Sequence, residues 1–363
     1  MSRCARGAAV LAAAAAAVSV FAAARAPRPE EFPVGFFGVS APADARALAE
    51  QGFDAVQSYA GDAASVALLA RAARANGQLL LASADAPMAA GARAADFPGT
   101  VWYLADEPDV HGTTVAELAA RERAVKAWAP QARTAFVVGD GRRAADFPGV
   151  ADALMVDWYP VPHLALESAG DMVRLTAAAA GGRKVWAVLQ AMDWRDFPQR
   201  DPKKKRIGRF PTADEIRFMS YDAVLNGAQG VWYFTYSTAT GVDLGQRPEQ
   251  MAAVADAARE LRALAPVFAR GREIAPPFAA RPAGPAARAW TYRGRDYVVL
   301  AARRTGSDVL FPSEMLAAGW RPLFESRRDP RDLLRRFGAS YYLRAHQVLV
   351  LESRLSPERL FGR

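Results

Sequence analysis

The sequence contains one cysteine in 363 residues, Cys4. It lies ahead of the N-terminal apolar run, where it is badly placed for a lipid anchor, and removal of that segment leaves no thiol. Disulfides and cysteine-held metals are thereby excluded. Histidine is nearly as scarce. His111, His163 and His346 are too scattered for a metal site or a Ser-His-Asp triad and read as ordinary loop and strand residues. No phosphate-binding Gly-Lys-Ser/Thr loop, GxGxxG turn or zinc spacing occurs, so no metal and no cofactor is called for. After the first 26 residues no apolar run is long enough to read as a membrane span.

What the N-terminus does contain is Arg3 and Arg6, an uncharged run from Ala8 to Ala24, and small residues around Ala24 and Ala26. That pattern reads as a signal peptide over residues 1–26. The expectation is a secreted or periplasmic protein, with a retained anchor as the alternative. An apolar share of 52%, with 8 Trp, 10 Tyr and 18 Phe, excludes a disordered chain and supplies flat rings for packing or for sugars. The net charge of +8 comes from arginine spread along the chain, so it fits attraction to acidic polymers as well as nucleic acid. No nucleic-acid partner is called for.

From Pro33 the chain alternates short apolar runs with helical stretches, beginning with Gly35–Val39, Phe53–Tyr59 and Gln78–Ser83 as strands. Asp62 reads as the N-cap of one helix, and Thr114 with Glu117 as the capping box of another. Further strands are expected at Val101–Glu107, Thr134–Val138, Ala153–Asp157, Lys184–Gln190 and Gly230–Tyr236. Eight strands, each followed by a helix or a helix-length segment, predict a (β/α)8 TIM barrel over residues 33–272. From Pro276 the rhythm changes to short β-like runs, which predicts a small antiparallel all-β domain over 276–363. The heptapeptide RAADFPG occurs twice, at Arg93–Gly99 and Arg143–Gly149; residual barrel symmetry and coincidence in an Ala/Arg-rich chain both remain open.

The most informative stretch is VWYLADEPD, Val101–Asp109. An apolar strand that ends in carboxylates delivers them to the end of a barrel, where active sites form. Pro108 should stop the strand and hold Glu107 extended, while Asp106 or Asp109 has the simpler alternative of capping the next helix. The other strand ends contribute Gln57 and Tyr59, Asp157 and Tyr159, Gln190 with Asp193 and Trp194, and Trp232 with Tyr236. Carboxylates, amides and aromatic rings are what sugar recognition needs. One of each adjacent strand pair faces away from the site, and Gln190 could instead satisfy a buried backbone group. The basic run Lys203–Arg206 reads as a solvated loop above the mouth.

ADEPD on the fourth strand, DWYP on the sixth, VLQAMDW on the seventh and PTADEIRFMSYDAVLNGAQGVWYF into the eighth together resemble bacterial glycoside-hydrolase-like TIM-barrel proteins. The resemblance covers nearly all of the chain after the leader. It implies a glycosidase acting on a poly- or oligosaccharide, with Glu107 as general acid; the chain has Gln190 where such enzymes carry a second glutamate. Asp157 is then the expected second carboxylate, as base or nucleophile, with Asp193 in reserve. Tyr159, Gln190, Trp194, Trp232 and Tyr236 are expected to position sugar, together with Gln57, Tyr59 and Asp106. A glycan-binding barrel that does not cleave is the alternative.

Overall fold

The computed structural model describes residues 31–197, 203, 205–238, 241–277, 285–303, 307–310, 319–324, 336–337 and 340–353. The expected leader, 1–26, lies outside them. Eight parallel strands close into a barrel in chain order: β1 (Val34–Phe36), β2 (Ala55–Ser58), β3 (Leu79–Ala82), β4 (Thr100–Asp106), β5 (Arg133–Val138), β6 (Ala153–Trp158), β7 (Lys184–Gln190) and β8 (Val231–Phe234). The flanking helices are α1 (Pro42–Glu50), α2 (Ala63–Ala75), α3 (Asp85–Ala89), α4 (Pro108–His111), α5 (Val115–Trp128), α6 (Ser168–Ala179), α7 (Ala213–Leu225) and α8 (Pro248–Arg270). The (β/α)8 barrel expected from the alternation is therefore present. Only a 3-10 turn, Gly141–Asp146, stands between β5 and β6.

The signals that set the helix ends act as their chemistry requires. Asp62 accepts the Ser65 N–H at 2.9 Å, and capping boxes form at Thr114 with Glu117 and at Thr212 with Glu215. Each satisfies amides that the first helical turn leaves without an acceptor.

Strand alternation divides the apolar residues into two layers. Leu81, Val101, Val137, Met155, Trp186, Val188 and Trp232 fill the barrel interior, while Val56, Trp102, Phe136, Leu154 and Leu189 face the helices. The two RAADFPG copies fold alike. Phe97 and Phe147 adopt nearly the same backbone angles, φ −121°, ψ 65° and φ −119°, ψ 60°. Both rings are buried, and each follows an arginine paired to an aspartate three residues on.

The second module is antiparallel. Its five-stranded sheet orders β13 (Arg321–Pro322), β16 (Val348–Glu352), β11 (Arg295–Ala301), β10 (Ala286–Tyr292) and β9 (Arg272–Ile274). Beside it, β12 (Ser307–Leu310), β15 (Ser340–Leu343) and β14 (Arg336–Phe337) make a three-stranded sheet. The first sheet begins at Arg272, directly after α8 and ahead of the Pro-rich segment at which the sequence places the boundary.

Arginines fasten this module to the barrel helices. Arg217 of α7, buried, donates to Glu260 at 2.7 Å and to the Val348 carbonyl at 2.9 Å. Arg303 reaches Asp222 and Asp171, each at 3.0 Å. Burial pushes the Asp222 carboxyl from 3.8 up to about 6 although Arg303 opposes the rise, and Asp171 and Glu167 add to it. The folded chain therefore holds a proton between about pH 4 and about pH 6 that the unfolded chain has lost, so stability falls as pH rises through that window. A rise from 3.8 to about 6 corresponds to about 3 kcal/mol. Urea denaturation from about pH 4 to about pH 7 should show the parent losing stability of that order relative to Asp222→Asn, whose amide does not titrate.

Candidate active site

The acidic residues of the mouth gather where β4 and β6 end. Strand β4 shifts register against β5 between Tyr103 and Asp106, which re-aims the side chains that follow. Glu107 is not extended, as its place before Pro108 suggests, but left-handed at φ 42°, ψ 59°. A non-glycine residue there costs of order 1–3 kcal/mol and persists only when its neighbours enforce it. They do: the Glu107 carbonyl accepts from the Val110 and His111 amides at 3.0 and 2.9 Å. The Asp109 carboxylate accepts from the Gly139 and Asp140 amides, both at 3.0 Å, tying the turn to the end of β5.

The turn lays the Glu107 side chain against Gly139. A Cβ added at Gly139 would lie 3.2 Å from Glu107 Oε1 and 2.8 Å from Val110 Cγ2, so only glycine leaves both undisturbed. From the other side Asp157 meets Glu107 in a hydrogen-bonding contact. Two carboxyls in contact cannot both ionise cheaply, and they hold one proton between them. Burial raises Asp157 far above the ordinary carboxylate range, with the charge of Glu107 adding to the effect. Burial also raises Glu107; Asp106 pushes the same way, and the contact with Asp157 pulls back. Burial thus raises both carboxyls, and the pair titrates as a unit.

Three phenols surround the pair. Tyr103 donates to Asp106 Oδ1 at 2.6 Å, and Tyr159 hydrogen-bonds Asp157. Tyr59, 52% exposed, is pushed up by partial burial and by the charges of Asp106, Asp157 and Glu107. Beyond them the rings continue as a wall: Tyr159 stacks on Phe234 at 5.3 Å and Phe234 on Phe197 at 5.8 Å, while Trp194 stands edge-on to Tyr159 at 6.0 Å. A groove of about 800 Å³ opens beside Tyr59 and Tyr103, bounded by Ser58, Ser83 and Asp85, which is space for a small ligand or a few sugar rings.

The structure thus brings together Tyr59, Asp106, Glu107, Asp157, Tyr159 and Trp194 from among the residues proposed by sequence. It does not bring the others. Trp232, expected to hold sugar, is wholly buried in the barrel interior against Trp186 and Phe37. Tyr236 lies on the helix side, with its ring against Phe36 and its hydroxyl 3.4 Å from Asp44. Gln190 is buried and used up: its Oε1 accepts the Val161 N–H at 2.8 Å, and its Nε2 donates to the carbonyls of Val161 and Met192. Asp193 binds the Arg195 amide and guanidinium, organising its own loop. Gln57 is buried below Tyr59, where its Oε1 accepts the Gly38 N–H at 3.1 Å. Its Nε2, like Asp157 Oδ1, has no partner among the described residues.

Sequence reasoning passed over Tyr103 and Phe197 as site residues. Tyr103 was within reach, since it shares the inward parity of Val101 on β4. Among the described residues no group of acidic and histidine side chains is arranged to hold a metal.

No family model and no curated protein matches the sequence. Among solved structures the chain superposes on a glycoside hydrolase with a TM-score of 0.56 at 14% identity, covering 90% of this chain and 93% of the other. A family 5 glycoside hydrolase from Bacteroides vulgatus gives 0.55 at 12%, covering 92% and 91%. An α-amylase from Geobacillus thermoleovorans, complexed with acarbose, gives 0.54 at 12%, covering 89% and 98%. The fold is one that glycoside hydrolases use. At these identities the likeness carries the barrel and its added sheet.

The shared proton has a direct signature. Difference infrared spectroscopy at neutral pH should show a protonated carboxyl band that is absent from Asp157→Asn. A parent spectrum with only ionised carboxylate at this site would remove the shared proton.

Proposed function

We propose that the protein is a glycoside hydrolase of a poly- or oligosaccharide, with Glu107 as the general acid that protonates the glycosidic oxygen. One observation carries this reading: Glu107 stands at the barrel mouth against the buried Asp157 carboxyl, and the phenols that face this acidic cluster, Tyr59 and Tyr103, line an open groove. A general acid needs a raised pKa and a route to the leaving oxygen. The neighbouring glycoside hydrolase structures support the same reading at the level of fold.

Asp157 takes a different part from the one its sequence position suggests. Opposed catalytic carboxyls stand about 5 to 9.5 Å apart to admit the sugar, or the sugar and a water, whereas Asp157 touches Glu107. It is the reservoir of the acid's proton. Asp106, oriented by Tyr103, is the remaining carboxylate of the mouth, and activation of water falls to it. Tyr59, Tyr159 and Trp194 offer faces and hydroxyls to the sugar rings.

The reading includes export, with the leader removed near Ala24 or Ala26, and no nucleic-acid partner. No helix among the described residues is long and apolar enough to cross a membrane. A second reading, glycan binding without cleavage, is favoured by one observation: the amide at Gln190, where a second glutamate is expected, serves only the backbone.

Glu107→Gln keeps size and hydrogen bonding but removes the transferable proton. Turnover of glycosides with poor leaving groups should fall on the order of 10²- to 10⁴-fold with binding nearly unchanged, as kinetics and calorimetry on parent and variant would show. A parent that binds glycans without turnover would support the second reading. Mass spectrometry of the exported protein should find its N-terminus at or just after residues 24–26; an unprocessed chain retained in the cytosol would contradict export.

A further inference from the structure

The loop after β7 holds a cation that no carboxylate among the described residues compensates. The Arg206 guanidinium lies over the Trp194 ring, 4.9 Å from its centroid, and Trp194 meets Tyr159, which hydrogen-bonds Asp157. Arg206 is thus two rings away from the acid pair. Every other described arginine in the loops that follow β5 to β8 has a carboxylate: Arg142 has Asp140, Arg143 has Asp146, Arg195 has Asp193, Arg209 has Glu215 and Arg247 has Asp196. Arg206 has none among the described residues.

Its position is fixed by its neighbours. The Ile207 carbonyl lies 2.9 Å from His163 Nε2 in the loop after β6. Gly208 presses on the β7 loop so closely that a Cβ there would lie 2.5 Å from Asp193 Oδ1 and 2.9 Å from Trp194 Cβ. The Trp194 indole N–H is itself buried and has no acceptor among the described residues. The sequence adds to the charge here. The chain has only five lysines, and three of them are Lys203, Lys204 and Lys205.

We infer that Arg206, stacked on Trp194, is a subsite for an anionic group on the glycan, so that the substrate is an acidic polysaccharide, carboxylated or sulfated. This rests on the glycan reading of the mouth and names its substrate class. Guanidinium presents a planar fork of donors that suits carboxylate and sulfate oxygens, and stacking keeps the fork oriented while it waits. A neutral glycan gives these donors no charged acceptor and leaves the cation without a counter-charge. The chain's positive balance, +8 overall and +5 without the three arginines of residues 1–26, draws acidic polymers toward the protein, and Arg206 gives the attraction a fixed point of contact.

The test is binding of the full mature chain to polygalacturonate, dextran sulfate and neutral dextran, measured by affinity electrophoresis. The parent should bind at least one anionic polymer well above dextran, and the polymer preferred tells carboxylate from sulfate. Arg206→Ala should weaken that binding by about tenfold or more, with part restored in Arg206→Lys. Arg123→Ala, which removes the same charge from the barrel flank, should leave it unchanged. Equal loss in Arg206→Ala and Arg123→Ala, or equal binding of dextran, would overturn the subsite. Binding is read separately from turnover, so the two proposals fail separately. Anionic binding through Arg206 without cleavage would sink the hydrolase and keep the subsite. Cleavage of neutral glycans untouched by Arg206→Ala would do the reverse.

Discussion

The contact between Glu107 and Asp157 is the interaction on which the rest of the mouth depends. Two carboxyls touch only if one of them keeps a proton, and one keeps a proton near neutral pH only if water is largely excluded. The barrel supplies that exclusion from below, through the packed interior of Val101, Met155, Val188 and Trp232. The phenols supply it from the sides. A strained left-handed turn then holds Glu107 in place, with Asp109 clamped to the end of β5.

That arrangement explains why the site is acidic within and basic at its edge. The carboxyls are packed so closely that they cannot recruit a cation for each charge, and the arginines of the surrounding loops are mostly spent on local aspartates. Arg206, which has no carboxylate partner among the described residues, lies over an indole, which attracts a cation without neutralising it. Under the function proposed above, a ligand spanning both zones would present a neutral glycosidic oxygen to Glu107 and a charged substituent to the rim.

The fold was legible because two periods were enough to read it. Strand and helix patterning located all eight barrel strands, and cap residues such as Asp62 and Thr114 marked helix ends through chemistry confined to four residues. The site was legible only in part. Strand alternation tells which face a side chain takes but not at what height, so Trp232 looked like a sugar platform when it fills the interior. Tyr236 looked equivalent to it although the chain has left the strand by then and turns outward. The partner of Gln190 is the Val161 backbone, 29 residues away, and no local signal announces such a bond. Glu107 departed from its expected extended form because the clamp that enforces its turn spans two strands.

The two RAADFPG segments acquire a further meaning from where they point. Phe97 is followed ten residues later by Glu107, and Phe147 ten residues later by Asp157 (107 − 97 and 157 − 147). The two carboxyls therefore stand at the same sequence distance from matching buried phenylalanines, although β4 shifts register before Glu107 and β6 carries Asp157 within the strand. For Asp157, which lies within β6, an insertion or deletion of one residue after Phe147 would turn the carboxyl to the opposite face of the strand.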